Sequence, residues 1–225
     1  SVLTGIVLGD GTVDKKKGCV RWGHGGDQLW YTGFVGGMFR KNSQEYDTTN
    51  QTKKPLKCTM TCVPTMELWP EAQTSLHRGV KRVNQFLLDH ITPVALAYWY
   101  MDDGSIRSGD SYDYPTLHTE SFTREECQQL QDVLRNKFGI FAVWKKRSNK
   151  DYGYLLIEDQ PSARKFFGLI AKWILTGFQY KLPLDFKAGN QVLPAIKDAL
   201  VETVILHNRP IIGYPNIAKR GQDKW

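Results

Sequence analysis

No run of apolar residues in this 225-residue sequence approaches the roughly 20 that a membrane-spanning helix needs. A bilayer partner is therefore not expected. The apolar stretch Val2–Leu8 has neither a basic leader nor a small-residue cleavage site, so it does not read as a secretory signal. The four cysteines, Cys19, Cys58, Cys62 and Cys127, form no CxxC pair, and their spacing with the five histidines matches no zinc pattern. A reduced intracellular setting is expected, either an organelle (mitochondrion or chloroplast) or a bacterial or phage cytoplasm. Two of the cysteines have a simpler place. Residues 56–62 alternate apolar and polar side chains, which puts Leu56, Cys58, Met60 and Cys62 on one buried strand face. There free cysteine acts as a small hydrophobe. A low-complexity linker is also missing, so one continuous globule is expected rather than separated modules.

What is present is positive charge. The formal net charge is +7 and the isoelectric point is about 9.2, which favours a polyanionic partner such as nucleic acid. A hydrophobic fraction of 41% describes a globular chain, long enough for two halves of about 100 residues that each bury a core.

Two halves are visible. Thr92-Pro93 is a helix start, with Thr as N-cap and Pro at the first helical position, followed by the apolar run Val94–Met101. The run ends at Asp102-Asp103-Gly104, where glycine can adopt the left-handed conformation that terminates a helix. The N-terminus reads alike: Leu3–Gly11 is an apolar, small-residue helix ending in Asp10-Gly11. Asp10 and Asp103 stand 93 residues apart, close to half of the chain. Behind the first motif come strands near 12–24, a helix over 27–41, strands over 53–63 and a helix after Glu67. Behind the second come strands near 105–122 and a helix over 123–138 that opens with the capping box Thr123-x-x-Glu126 and carries Cys127, Leu130, Leu134 and Phe138 on one face. Strands at 140–147 and 152–158 follow. A further helix buries Ala163, Phe166, Phe167, Ile170, Trp173 and Ile174, and an extra helix is expected over 190–207. The expected division is 1–90 and 91–225.

A carboxylate at a helix C-terminus faces the negative end of the helix dipole, and something must offset that cost. A divalent cation shared by Asp10 and Asp103 would do so if the two helices pack side by side. Gly5 and Gly9, four residues apart, permit close backbone approach. One Asp-Gly pair is an ordinary turn or cap, but two copies at half-chain spacing point to a shared site. Without a cation, such paired carboxylates repel and one tends to stay protonated.

Leu3–Gly11 (LTGIVLGDG) and Leu96–Gly104 (LAYWYMDDG) resemble the paired motifs of the LAGLIDADG homing endonucleases. The likeness is closest to the monomeric, intron-encoded, omega-type branch. It rests also on Ile91-Thr92-Pro93, Thr119–Thr123, Leu134–Phe138 and Tyr180–Pro183. Tyr98 and Asp102 stand where the first copy has Gly5 and Gly9, so helix packing is expected to be asymmetric. The resemblance implies an α+β fold of two pseudo-symmetric αββαββα halves, whose saddle-shaped antiparallel sheets straddle double-stranded DNA with the motif helices at the central seam. It implies double-strand cleavage of a long, nonpalindromic target across the minor groove. It further implies Mg²⁺, with Mn²⁺ able to substitute, bound by Asp10 and Asp103 with the backbone carbonyls of Gly9 and Asp102, and a lysine at each centre, matched by Lys181 and Lys81. Closely spaced metals supply the Lewis acid and activated water that phosphodiester hydrolysis needs, and a nearby lysine can stabilise the developing charge.

If one face of each sheet packs on helices, alternation assigns the other to DNA. Lys57, Thr59 and Thr61 then oppose Leu56, Cys58 and Met60; Arg21 opposes Val20 and Trp22; His118 and Glu120 oppose Leu117 and Thr119. Lys15, Lys17, Arg107, Lys145, Arg147 and Lys150 fall on strands or hairpin tips suited to phosphate and base contacts. Two rival readings remain. Tyr100–Asp103 also resembles the catalytic turn of reverse transcriptases, but here it ends a capped helix and a second Asp-Gly motif lies half a chain away. An intron maturase or non-cleaving binder on the same scaffold would use the basic surface on intron RNA or DNA. Loss of a motif acid would mark it, and both acids are present.

Overall fold

A computed structural model describes residues 1–14, 19–25, 28–38, 43–48, 56–64, 76–77 and 80–187, with backbone alone for residues 14, 19, 29, 43–48, 56–64 and 76–77. The order of elements repeats. The first copy runs α1 (Val2–Leu8), β1 (Thr12–Asp14), β2 (Cys19–Gly25), α2 (Leu29–Met38), β3 (Ser43–Thr48) and β4 (Leu56–Pro64). A short hairpin, β5 (Leu76–His77) with β6 (Val80–Lys81), leads to α3 (Gln85–Asp89). The second copy runs α4 (Pro93–Asp103), β7 (Gly104–Ser108), β8 (Asp113–Leu117), α5 (Arg124–Phe138), β9 (Val143–Lys146), β10 (Gly153–Leu156) and α6 (Gln160–Ile170).

The two sheets have the same topology. Their orders are β1-β2-β4-β3 and β7-β8-β10-β9, antiparallel throughout, with registers such as Thr12↔Arg21 in one and Gly104↔Leu117 in the other. The chain is thus α+β with two pseudo-symmetric units, as the motif spacing implies. Alternation places side chains as expected on β2, where Val20 and Trp22 are buried and Arg21 is partly exposed; beyond the end of β8, Thr119 is buried and His118 and Glu120 are partly exposed.

The motif helices form the seam. Leu3–Leu8 of α1 and Val94–Met101 of α4 are buried on every side, as befits helices that are apolar all round. They approach backbone to backbone. A Cβ on Gly5 would collide with the Ala95 carbonyl and lie 2.7 Å from Tyr98 Cβ; one on Gly9 would lie 2.5 Å from Asp102 Cβ. Each large residue of α4 therefore fits against a missing side chain of α1. Thr92 Oγ1 accepts from Ala95 N at 3.2 Å and caps the start of α4, worth about 1 kcal/mol.

A second link between the halves is a helix cap used twice. Thr123 Oγ1 accepts from Glu126 N (3.2 Å) and Glu126 Oε2 accepts from Thr123 N (2.7 Å), closing the expected capping box of α5. The same buried carboxylate accepts from Val83 N (2.8 Å) and pairs with Arg82 (3.4 Å), so it grips the segment that follows Lys81.

Several expectations need correction. Gly104 ends α4 in an extended conformation (φ −96°, ψ 153°), not a left-handed one; what excludes a side chain there is the Tyr100 ring and carbonyl. β8 stops at Leu117, and residues 118–122 turn toward α5 instead of extending the strand. The second-half strands expected over 140–147 and 152–158 shorten to Val143–Lys146 and Gly153–Leu156. The helix expected through Ile174 ends at Ile170; a single tighter turn, Ala171–Trp173, follows, and Trp173 is only partly buried. The helices after Glu67 and over 190–207 lie outside the described residues, as do the side chains of Cys58 and Cys62. Cys127 is free and buried.

Candidate active site

Helices α1 and α4 end side by side and deliver Gly9-Asp10-Gly11 against Asp102-Asp103-Gly104. The motifs touch directly: Asp10 N donates to Asp102 Oδ2 at 3.4 Å. Asp10 keeps about half of its side chain exposed, whereas Asp102 is fully enclosed. The missing side chain of Gly9 is what leaves room for Asp102.

Burial and neighbouring charge then set the protonation of the acids. Burial first, and the Asp10 charge second, push the Asp103 carboxyl up to about 6; Lys81 and Lys181 oppose the rise. Asp102 is driven well above the ordinary carboxylate range by burial and Asp10, with the neighbouring Tyr31 phenol pulling the other way. The Asp10 charge thus reaches Asp103 across the seam.

Each half brings a lysine to the end of its own motif helix. Lys81 Nζ donates to the carbonyl of Gly9 and lies 3.5 Å from that of Leu8. Lys181, in the tight turn Thr176–Lys181, donates to the Met101 carbonyl (2.5 Å), with those of Tyr100 and Asp102 at 3.4 Å. Leu8 and Gly9 are the motif counterparts of Met101 and Asp102, so the two ammonium groups hold pseudo-equivalent positions. They satisfy orphan helix carbonyls and offset the negative end of each dipole. Burial lowers both lysine pKa values, and the three aspartates resist that. Tyr100 Oη donates to the Lys181 carbonyl at 2.8 Å and so anchors the turn that carries Lys181.

His24 was not among the expected residues. It sits at the end of β2 with Nδ1 3.6 Å from Asp10 Oδ2 and Nε2 3.8 Å from Asp102 Oδ1. Its backbone N–H donates to Thr32 Oγ1 (3.1 Å), and its ring lies 4.9 Å from that of Tyr31, both on α2. Burial lowers its pKa, helped by Lys181 and opposed by Asp10, so the ring is neutral at pH 7. Alternation alone puts His24, two residues beyond Trp22, on the buried face of β2, but its meeting with the motif acids there is set by tertiary packing. Among the described residues, Asp10, His24 and Asp102 are the group whose donor atoms all lie within 4.8 Å of one another. His24 Nε2 and Asp102 Oδ1 are buried with no hydrogen-bond partner. A cation fits this corner chemically, since it would supply the partner that both atoms lack.

Of the residues expected on the DNA face, four meet in one network on the second sheet. Glu120 Oε1 accepts from Arg147 Nε (2.9 Å) and Nη2 (2.7 Å) and faces His118 Nδ1 (3.2 Å), whose Nε2 meets Ser105 Oγ (3.0 Å). Arg107 and Arg147 lie 4.9 and 5.6 Å from the ring centre of Tyr154, which was not expected in this role. Lys145 pairs instead with Glu158 (3.0 Å), and Lys150 is exposed at the hairpin tip. Arg21 is partly buried on β2. Lys15 and Lys17 lie outside the described residues, as do the side chains of Lys57, Thr59 and Thr61, although β4 carries all three positions.

Comparison with known proteins adds four findings. A family model described as the LAGLIDADG DNA endonuclease family matches residues 1–166. A protein of Mycosarcoma maydis named probable intron-encoded DNA endonuclease 3 is 37% identical over 98 residues, covering 43% of this chain and 68% of that protein. A protein of Mycolicibacterium flavescens named RecA is 26% identical over 211 residues, 86% of this chain, but the match spans only 48% of that relative. Among solved structures, the homing endonuclease I-WcaI bound to its DNA recognition sequence has a TM-score of 0.63 at 22% identity, over 81% of this chain and 84% of that one. It has the same fold.

Proposed function

The chain belongs to the LAGLIDADG DNA endonuclease family, and from that premise we propose that it is a site-specific endonuclease making a metal-dependent double-strand break in DNA. The observation that carries this reading is the seam itself. Two motif acids from different halves lie in each other's field, each half with a lysine on the last carbonyls of its helix.

In this reading Asp10 and Asp103 hold Mg²⁺, with Mn²⁺ as a substitute. When bound, the metal supplies a Lewis acid for the scissile phosphate and lowers the pKa of a coordinated water. The rest is the work of side chains. Asp103, with its pKa near 6, is largely ionised above neutral pH and ready to bind a cation. Lys81 and Lys181 keep positive charge beside the positions where phosphate charge builds up, one for each strand. Cleavage across the minor groove belongs to this reading, supported by the packing of α1 on α4, which brings one motif acid from each half to the same seam.

The halves carry different side chains at equivalent places, which favours a nonpalindromic target read by one chain acting as a monomer. Arg107, His118, Glu120, Arg147 and Tyr154 are the surface we assign to the second half-site. The stacked guanidinium groups suit phosphate contacts and guanine edges. Glu120 acts there by orienting Arg147, since its carboxylate is already engaged.

The test is cleavage of a plasmid library carrying a randomised insert, with Mg²⁺ and separately with Mn²⁺, followed by sequencing of the cut ends. Linear product converging on one asymmetric site is expected. Tight binding to a selected sequence with no cutting in either metal would overturn the nuclease reading in favour of a non-cleaving nucleic-acid binder.

A further inference from the structure

We propose that Asp10, His24 and Asp102 form a mixed carboxylate–imidazole site that takes one transition-metal ion, Co²⁺ or Zn²⁺, in the free protein and prefers it to Mg²⁺. The inference shares Asp10 with the nuclease centre proposed above but does not rest on cleavage.

Three observations carry it. The donor atoms of the three residues already lie within 4.8 Å of one another. Donors held on one tetrahedral ion by bonds of about 2.0–2.2 Å are separated by roughly 3.3–3.6 Å, so closure needs side-chain shifts of about an ångström. Next, the cluster contains two buried polar atoms with no hydrogen-bond partner, His24 Nε2 and Asp102 Oδ1, which face each other at 3.8 Å. Both belong to side chains that are at least nine-tenths buried. Buried polar atoms are normally paired, and an ion between these two would pair them at once.

The third observation is the donor set. Mg²⁺ favours oxygen ligands in octahedral geometry and keeps several waters. An imidazole within a tight set of three donors instead favours later first-row ions. His24 is well placed to hold its geometry, because its backbone is tied to Thr32 and its ring packs on Tyr31.

The site is single, not repeated. Counting outward from the registers Thr12↔Arg21 and Gly104↔Leu117 makes Thr119 the second-half counterpart of His24. Its hydroxyl donates to the Gly153 carbonyl at 3.2 Å. The partner position across the seam differs too, since Gly9 stands where the other copy has Asp102.

The experiment is a Co²⁺ titration of the metal-free chain without DNA, in millimolar Mg²⁺, followed by visible absorption and calorimetry. One Co²⁺ per chain is expected, displaced by Zn²⁺. His24→Gln and Asp102→Asn should each weaken binding about tenfold or more, the scale on which a lost site contact acts, while Asp103→Asn keeps Co²⁺ affinity. Circular dichroism checks that each variant is folded. Should the variants at 24 or 102 not fold, proton NMR of the Co²⁺-loaded unmutated chain decides, because a coordinated imidazole shows strongly shifted exchangeable ring resonances. No saturable Co²⁺ binding, absence of those resonances, or a folded His24→Gln chain with undiminished affinity would each overturn the proposal. So would Asp103→Asn losing as much as Asp102→Asn, which would put the ion between the motif acids. Failure here with intact Mg²⁺-dependent cutting leaves the nuclease reading standing, and the reverse result separates the two equally well.

Discussion

The ammonium of Lys181 lies 2.5 Å from the carbonyl oxygen of Met101, on the last turn of the helix that ends in Asp103. Lys81 lies likewise on the last carbonyls of α1, those of Leu8 and Gly9. If each lysine serves one strand, Lys181→Met and Lys81→Met should each slow one of the two cuts by about 100-fold, the usual effect of removing one stabilising donor. Nicked plasmid should then accumulate ahead of linear product on an agarose gel. Linearisation at the unmutated rate would remove that lysine from the reaction.

Asp103 predicts a pH-dependent trade between stability and metal binding. Its pKa is raised in the folded chain, from 3.8 to about 6, so ionisation disfavours the fold. The penalty is absent below pH 4, grows as pH rises through the interval and is complete above about 6. Asp103→Asn should therefore stabilise the metal-free chain at pH 7.5 by on the order of 1–3 kcal/mol, with the gain fading toward pH 4.5. Added Mg²⁺ should favour the unmutated chain instead. Thermal unfolding in chelator at the two pH values reads this, and an equal gain at both would refute the assignment.

Gly5→Ala tests the seam. The added methyl meets the Ala95 carbonyl and the Tyr98 Cβ, so α1 and α4 must part, at a cost of about 1–3 kcal/mol. Gly33→Ala, in α2, meets nothing within 4 Å and should stabilise the chain by up to about 1 kcal/mol through helix propensity. Urea denaturation of the pair should give shifts of opposite sign; similar shifts would mean that the helices are not in contact at Gly5.

Arg147 is held by Glu120 and lies beside Tyr154, so it meets DNA already oriented. Arg147→Ala should weaken binding at all salt concentrations and lower the slope of log affinity against log salt by about one. Arg147→Lys should recover the slope without the base preference, because an ammonium lacks the planar fork. An unchanged slope in Arg147→Ala would mean that the guanidinium stays on Glu120 in the complex.

Much of this architecture is written locally. The capping box at Thr123 and the 3.6-residue spacing of Cys127, Leu130 and Leu134 specify α5 almost to its ends, and Thr92-Pro93 does the same for α4. Boundaries set by distant partners are harder. β8 stops where His118 N turns to the Asp103 carbonyl and Thr119 to that of Gly153. The apolar period of α6 runs past its real end because Ile174 and Leu175 also point inward, the latter donating its backbone N–H to Met101 Sδ at 3.4 Å. The site divides the same way. Asp10 and Asp103 are legible because the motif repeats, and both lysines through the family likeness. His24 required knowing that β2 ends beside a carboxylate from the opposite half, and no local pattern carries that information.

The fit of Gly5 against Tyr98 and of Gly9 against Asp102 has a consequence for symmetry. A two-fold dimer needs a surface complementary to itself. Two copies of α1 would face glycine with glycine, which permits close approach; two copies of α4 at the same spacing would drive Tyr98 into its twin and set one Asp102 against another. The second motif helix cannot serve as its own partner at this spacing. The two motif helices are therefore not interchangeable: the seam needs one of each, and a pair of second halves could not close it.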